Sequence, residues 1–144
     1  MAFVKIWLHC VWGTKNRTPY FTTQNKDLIF SHILENAKAK DIHIDSINGG
    51  KEHVHCTISL GIDQTVMKVL QMIKGESSNW INKNKLVKGK FEWADEYYAV
   101  SVSESSLPKV REYIKNQDEH HRHKTWDEEC EDFMGKYGFK KTLG

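Results

Sequence analysis

The chain has 144 residues, of which 39% are hydrophobic and 28% charged, and its formal net charge is +2. These values are typical of a globular protein and exclude a chain that is largely disordered. The length allows one compact domain with a hydrophobic core, so we expect a single domain over residues 1–144. The apolar opening segment, residues 1–13, carries Lys5 and His9 and is too short to span a bilayer, which predicts a cytoplasmic protein without a membrane segment.

Cysteine spacing and charge distribution narrow the chemistry further. Cys10, Cys56 and Cys130 lie far apart and form no Cys-x-x-Cys pair, so we expect reduced thiols in the core, and neither a disulfide framework nor a structural zinc site. Residues 68–90 contain six lysines and one acidic residue, whereas residues 112–132 contain eight acidic residues. The lysine run is either a solvated helix face or a surface for a phosphate backbone, and charge alone leaves both open.

The first half of the chain predicts a strand, a helix and a β-hairpin. Residues 4–12 alternate and are rich in aromatic and branched side chains, as in a strand, and residues 22–40 carry apolar side chains at helical spacing. Residues 42–47 predict a second strand. The Asn-Gly-Gly sequence at residues 48–50 tolerates positive φ angles, so we expect a tight turn there that leads into a strand near His53.

The second half predicts a helix, a strand and a further helix. Asp63 is a suitable N-cap for a helix that has an apolar stripe on one face and lysines on the other. Residues 97–103 predict a strand, and Ser105 or Ser106 with Pro108 begins the next helix. The apolar stripe consists of Val66, Val69, Leu70, Ile73, Ser77, Trp80 and Ile81.

A last helix at about residues 125–138 is predicted by apolar spacing and by the capping-box pair Thr125 and Glu128, and we interpret it as packing on the rest of the domain. The element order is strand, helix, strand, strand, helix, strand, helix, helix. This order favours an α+β fold in which an antiparallel β-sheet has helices packed on one face. The other face of the sheet is then expected to be open.

Two histidines share one face of the strand near residue 53. Because successive side chains of a strand point to opposite faces, His53, His55 and Thr57 lie on one side, whereas Val54 and Cys56 lie on the other. Two imidazoles on one pleated face can converge on a single cation or phosphate. For the pair alone, an exposed polar strand face is the better interpretation, and further residues are needed to favour a site.

A second pair of polar residues follows the last predicted strand. Tyr113 and Gln117 are four residues apart, which makes them neighbours on one face of a helix. They border the apolar stripe formed by Leu107, Val110 and Ile114. Side chains at such a border are expected to face a cleft.

The chain resembles the single-tyrosine HUH transposases of small bacterial insertion sequences and their repeat-associated relatives. The resemblance covers nearly the whole chain and implies a ferredoxin-like or RRM-like HUH fold. Four segments carry it: VWGTKNRTPYF at residues 11–21, EHVHC at 52–56, IKGESSNWI at 73–81 and SVSESSLPKVREYIKNQDEHH at 101–121.

This resemblance implies a site and a reaction. His53 and His55 correspond to metal ligands, Gln117 to a third ligand and Tyr113 to the nucleophile. The implied reaction is cleavage and rejoining of single-stranded DNA through a 5′-phosphotyrosine intermediate and a free 3′-hydroxyl. The implied ion is Mg²⁺ or Mn²⁺, although imidazole ligands by themselves favour zinc, nickel or copper.

The resemblance also implies a bacterial homodimer that acts on DNA hairpins at element ends, in some members with active sites shared between subunits. Tryptophans are expected either in the core or as platforms for base stacking, with Trp12, Trp80 and Trp93 as candidates. The candidate contacts to the DNA backbone are Lys15, Arg17, Lys68, Lys74, Lys83 and Lys85.

Two other functions remain open from the sequence. A noncatalytic or domesticated protein that binds single-stranded nucleic-acid hairpins would use the same scaffold without forming a covalent product. A metal-dependent phosphodiesterase that activates water would keep the metal ligands and would not need Tyr113.

Overall fold

The computed structural model describes residues 1–117 and 128–129, and all structural statements refer to them. The described chain forms a four-stranded sheet, three α-helices and two short 3-10 turns, at Lys15–Arg17 and Glu104–Ser106. The strands are β1 (Trp7–Thr14), β2 (His43–Gly49), β3 (His53–Ser59) and β4 (Trp93–Val102), and the helices are α1 (Lys26–Ala39), α2 (Val66–Lys83) and α3 (Leu107–Lys115).

All neighbouring strands run antiparallel, in the order β2-β3-β1-β4. β1 lies inside the sheet and pairs with both β3 and β4, so that Cys10 is opposite Cys56 on one side and Ala99 on the other. The predicted α+β fold with an antiparallel sheet is confirmed. The helix predicted over residues 125–138 lies outside the described residues, apart from Glu128 and Glu129.

One face of the sheet forms the main core with α1 and α2. Strand alternation directs Leu8, Cys10 and Trp12 of β1 and the neighbouring apolar residues of β3 toward these helices. Burial raises the pKa of the Cys10 thiol to about 12 and that of Cys56 well above its usual value. Both are free buried thiols, as expected, whereas Cys130 lies outside the described residues.

The opposite face of the sheet is covered by α3, which corrects the expectation of an open face. α3 has its own apolar stripe, and Leu107 and Ile114 of that stripe are buried. An isolated helix of this length is not stable in water, so it must pack against another element. α3 therefore lies on the face of β2 and β3 that carries His53 and His55.

The hairpin between β2 and β3 turns later than predicted. β2 continues through Asn48 and Gly49, which pair with His55 and Val54, and the turn occupies residues 50–52. None of residues 48–50 adopts a positive φ. Gly49 is required for a different reason: a Cβ atom there would lie 2.0 Å from the carbonyl oxygen of His53.

The N-cap of α2 lies two residues after the predicted one. Thr65 is the N-cap, with an extended backbone and a side chain that accepts a hydrogen bond from the backbone N–H of Lys68, so Asp63 does not cap the helix. The predicted apolar stripe is confirmed, since Val69, Leu70, Ile73, Ser77 and Ile81 are buried.

No helix in residues 1–117 or 128–129 is long and apolar enough to cross a membrane.

Replacing the cap tests the corrected start of α2. We expect Thr65→Ala to lower the free energy of unfolding by about 1 kcal/mol, because it removes the acceptor for an otherwise unpaired helix N–H. Asp63→Ala is the matched control and should change it by less than about 0.5 kcal/mol. Urea denaturation of the three proteins measures both effects, and a larger loss in Asp63→Ala than in Thr65→Ala would contradict this assignment.

Candidate metal and nucleophile site

The two histidines of β3 are fully buried beneath α3, with ring centroids 5.0 Å apart. Each ring is held through its Nδ1 atom. His53 Nδ1 lies 2.8 Å from Glu52 Oε1, and His55 Nδ1 lies 2.9 Å from His9 Nε2. A histidine whose one nitrogen is fixed in this way presents the other in a defined direction, which is the usual arrangement of metal-binding histidines. Both Nε2 atoms point to the space beneath α3.

His9 of β1 supports His55 and was not predicted to belong to the site. It is buried, and burial together with the nearby charge of His55 lowers its pKa to about 3, against an opposing effect of Glu129. A neutral His9 can accept a hydrogen bond from the Nδ1–H of His55, which leaves the Nε2 lone pair of His55 available for a cation. Only the register of β1 against β3 puts His9 beside His55, and the residue pattern does not reveal that register.

Polar side chains of β2 fix α3 over the histidines. Asp45 accepts two hydrogen bonds from Arg111 of α3, Nε to Oδ2 at 2.7 Å and Nη2 to Oδ1 at 2.8 Å. Asn48 Nδ2 donates to the carbonyl oxygens of Ile114 at 3.0 Å and Lys115 at 3.2 Å, which caps the C-terminal end of the helix. The position and rotation of α3 are thereby set in its middle and at its C-terminal end.

α3 brings the second predicted pair to the histidines. The Tyr113 ring centroid is 5.5 Å from that of His55 and 6.0 Å from that of His9. Gln117 follows the helix end and is fully buried; its Nε2 donates to the carbonyl oxygen of Tyr113 at 3.2 Å. This bond directs the amide oxygen inward, 3.2 Å from His53 Nε2. His53, His55, Tyr113 and Gln117 therefore meet at one place.

A carboxylate that was not predicted to belong to the site also lies there. Glu129 Oε1 is 3.1 Å from His55 Nε2, and Glu129 Oε2 is 3.8 Å from His53 Nε2. Tyr113 donates its hydroxyl hydrogen to Glu129 Oε1. Burial alone would raise the pKa of Glu129, but the contacts with His55, Tyr113 and His53 more than offset it and lower the pKa to about 2. The segment around residue 129 was expected only to pack on the domain, and its spacing from Gln117 gives no signal of this role.

The donor atoms suit a divalent cation. One ligand atom each of His53, His55 and Glu129 can be chosen so that all lie within 4.8 Å of one another, and all three residues are buried. Buried imidazole and carboxylate groups that converge in this way are a common ligand set for divalent metals. The amide oxygen of Gln117 lies at the same place.

The family to which this site belongs follows from sequence comparison. Residues 2–117 match the family model described as IS200-like transposase. The chain belongs to the IS200-like transposase family. A search of curated proteins found no match.

Two solved structures share the fold of this IS200-like family member. A candidate transposase from Deinococcus radiodurans R1 is 20% identical with a TM-score of 0.65, and the match covers 81% of this chain and 93% of that one. A REP-associated tyrosine transposase bound to a REP hairpin is 14% identical with a TM-score of 0.63, and the match covers 84% of this chain and 72% of that one. At these identities the likeness establishes the fold alone.

The candidate DNA contacts fall into two groups on this IS200-like fold. Lys15 and Arg17 lie in the turn after β1 and are exposed, next to Gly13, which pairs with His53. The other four lysines lie on or just after α2, on the face of the sheet away from the histidines. Lys74 donates to the carbonyl oxygens of Ala94 at 2.7 Å and Asp95 at 3.3 Å, and burial lowers its pKa. Lys15 and Arg17 therefore lie near the His53 end of the site. The other four candidates, Lys68, Lys74, Lys83 and Lys85, lie on the opposite side of the sheet.

The tryptophans proposed as stacking platforms are mostly part of the core. Trp12 and Trp93 are buried and contact each other edge to face, with centroids 5.9 Å apart. Trp80 is half-buried and stacks on His32, with centroids 3.7 Å apart. The core interpretation is confirmed for Trp12 and Trp93.

Removing the charge of Asp45 tests how α3 is anchored. Hydrogen bonds from Arg111 hold the pKa of Asp45 below its ordinary value of 3.8, so this interaction stabilises the fold above that pH and is lost as the pH falls through the lower, folded-state pKa. We expect Asp45→Asn to lower the free energy of unfolding near neutral pH, with the difference from wild type shrinking in acid. Urea denaturation from about pH 7 to about pH 3 measures this.

The exposed Asp63, changed to Asn, is the control for this experiment, and it should follow the wild type at every pH. A difference between Asp45→Asn and wild type that stays constant into acid would mean that the carboxylate charge does not anchor α3.

Proposed function

We propose that this protein is a transposase that cleaves and rejoins single-stranded DNA through a covalent bond to Tyr113, with a divalent metal held by His53, His55 and Gln117. The observation that carries this proposal is the meeting of a tyrosine hydroxyl, two histidine Nε2 atoms and an inward amide oxygen on one covered face of the sheet. Membership of the IS200-like transposase family supports the reaction class.

The metal would be Mg²⁺ or Mn²⁺. When bound, it polarises a phosphoryl oxygen of the substrate and offsets the negative charge that develops during attack. Two imidazoles alone favour softer ions, so the selection of a hard ion requires oxygen donors from the protein, the substrate phosphate and water. Gln117 supplies one such donor, because its Nε2 is engaged by the Tyr113 carbonyl and its oxygen faces the histidines.

Tyr113 needs help to act as a nucleophile. The free pKa of tyrosine is about 10, so only roughly one molecule in a thousand is ionised at neutral pH. The hydroxyl of Tyr113 donates to the carboxylate of Glu129, and a proton acceptor therefore lies at the atom that must lose its proton. The ring packs against His9 and His55, which limits its orientation relative to the histidines.

The proposed step is a transesterification. The Tyr113 oxygen forms a bond to phosphorus, and the bond between phosphorus and the 3′-oxygen of the preceding nucleotide breaks. The tyrosine loses its proton, and the departing 3′-oxygen gains one. The reverse attack by a 3′-hydroxyl on the phosphotyrosine rejoins the strand, so the reaction requires no nucleotide cofactor.

A DNA hairpin at an element end is the substrate that we propose. The REP-associated relative is bound to a REP hairpin, which supports the same class of ligand here. Lys15 and Arg17 are the preferred backbone contacts, since they stand at the end of β1 that borders His53, and Arg17 lines a surface depression with Gly13, Glu96 and Tyr98. We further propose that the protein is a homodimer. We propose the bacterial cytoplasm as its location.

The Tyr113→Phe variant tests this function. We expect wild type, mixed with labelled single-stranded hairpins from the flanks of its own gene and Mg²⁺ or Mn²⁺, to form a covalent adduct visible on a denaturing gel. Tyr113→Phe should form no adduct, because it lacks the attacking oxygen, but should still bind the hairpin. Tyr97→Phe is the matched control and should keep the adduct, since Tyr97 is half-buried on the other face of the sheet.

Two results would contradict the proposal. Strand cleavage by Tyr113→Phe at the wild-type rate would indicate attack by water and hence a phosphodiesterase. Hairpin binding without an adduct, with either metal and with a flank known to contain a cleavable end, would favour a noncatalytic binding protein.

A further inference from the structure

Glu129 occupies a place that its contact with Tyr113 alone does not explain. Its carboxylate is buried and lies between the Nε2 atoms of the two histidines, 3.1 Å from that of His55 and 3.8 Å from that of His53. Tyr113 donates to the same oxygen that contacts His55. A buried carboxylate destabilises the folded state unless it is paired. The fold pairs Glu129 with three polar side chains, those of His53, His55 and Tyr113.

The Nδ1 atoms of both histidines are already engaged by other side chains. Nδ1 of His53 is held by Glu52, and Nδ1 of His55 is held by His9, so each histidine has only its Nε2 atom directed at Glu129. Metal ions bind neutral histidine through a lone pair, so a cation can bind between the two Nε2 atoms and the carboxylate of Glu129. These three side chains form a ligand set of two imidazoles and one carboxylate, which binds divalent metal ions in other proteins.

Ligand chemistry gives Glu129 a distinct role beside Gln117. A neutral amide oxygen is a weak donor for Mg²⁺ or Mn²⁺, whereas a carboxylate is a strong donor that also cancels charge. Two imidazoles and an amide would favour zinc or another softer ion. A carboxylate would move the preference toward ions that bind oxygen.

We propose that Glu129 is itself a metal ligand, supplied by the C-terminal segment, and that it makes the His53 and His55 site selective for Mg²⁺ or Mn²⁺. This inference rests on the metal dependence in the proposed function. Because Glu129 also accepts the Tyr113 hydrogen bond, it links the metal to the nucleophile. Glu129 then contributes directly to the chemistry of the site.

Direct measurement of metal binding tests this assignment without an activity assay. Free Mn²⁺ can be followed by electron paramagnetic resonance during titration of wild type, Glu129→Gln, Glu129→Ala and Glu128→Gln. The neighbouring Glu128 is exposed, which makes Glu128→Gln the matched control for charge. Circular dichroism and thermal melts verify that each variant is folded.

We expect Glu129→Gln and Glu129→Ala to weaken Mn²⁺ binding by more than about tenfold, at least as much as the loss of an outer-shell partner of a metal ligand. Zn²⁺ affinity should fall less, because the two imidazoles remain. Glu128→Gln should bind like wild type. Equal Mn²⁺ affinity in Glu129→Gln and wild type would overturn the assignment, and tighter binding would show instead that Glu129 obstructs the site.

A His53→Ala, His55→Ala double variant separates this inference from the proposed function. If wild type and Glu129→Gln bind Mn²⁺ equally and the double variant does not, the histidine site stands and only the role of Glu129 fails. If no protein, including wild type, binds Mn²⁺ or Mg²⁺, the metal dependence fails and this assignment fails with it.

Discussion

The site depends on how α3 is docked against the sheet. β2 offers the carboxylate of Asp45 to Arg111 and the amide of Asn48 to the last carbonyl groups of the helix. The charge-assisted, two-point contact between Asp45 and Arg111 fixes direction as well as distance. If α3 rotated by a single residue, Tyr113 and Gln117 would leave the histidines. The reactive groups are thus held by contacts that take no part in the chemistry.

The second constraint is the burial of several polar groups in one small volume. His9, His53, His55, Gln117 and Glu129 are all buried, and each has a polar neighbour within the group. Such a network is stable only when nearly every donor and acceptor is engaged. This requirement explains why Glu52 and His9 accompany the two histidines: they fix the Nδ1 atoms and leave the Nε2 atoms directed inward. The inward Nε2 atoms are then available to a cation.

Much of the fold was predictable because it follows from local periodicity. Alternation in β3 put His53 and His55 on one face, and helical spacing paired Tyr113 with Gln117, and the structure confirms both of these geometric relations. The predicted N-cap of α2 was wrong because two residues near the helix start can act as caps. Only the backbone conformation selects Thr65 over Asp63. The predicted position of the turn after β2 was wrong because Asn48 and Gly49 continue the strand. Gly49 there allows the close approach of the His53 backbone.

The residues that escaped prediction are those joined by long-range contacts. His9 contacts His55, which lies 46 positions further along the chain on the neighbouring strand, and this contact depends on strand register. The face covered by α3 depends on partners in β2 that no local pattern identifies. Glu129 lies in an acidic stretch where one carboxylate cannot be distinguished from its neighbours by sequence alone.

Mass spectrometry of the trapped complex identifies the residue that forms the bond to DNA. The protein would be incubated with a single-stranded hairpin substrate and Mg²⁺, then digested with trypsin and with nuclease to leave a short nucleotide on the linked residue. We expect a nucleotide mass on the peptide of residues 112–115, with fragmentation that assigns it to Tyr113. A nucleotide attached to any other residue, or a cut strand with no linked peptide, would contradict it.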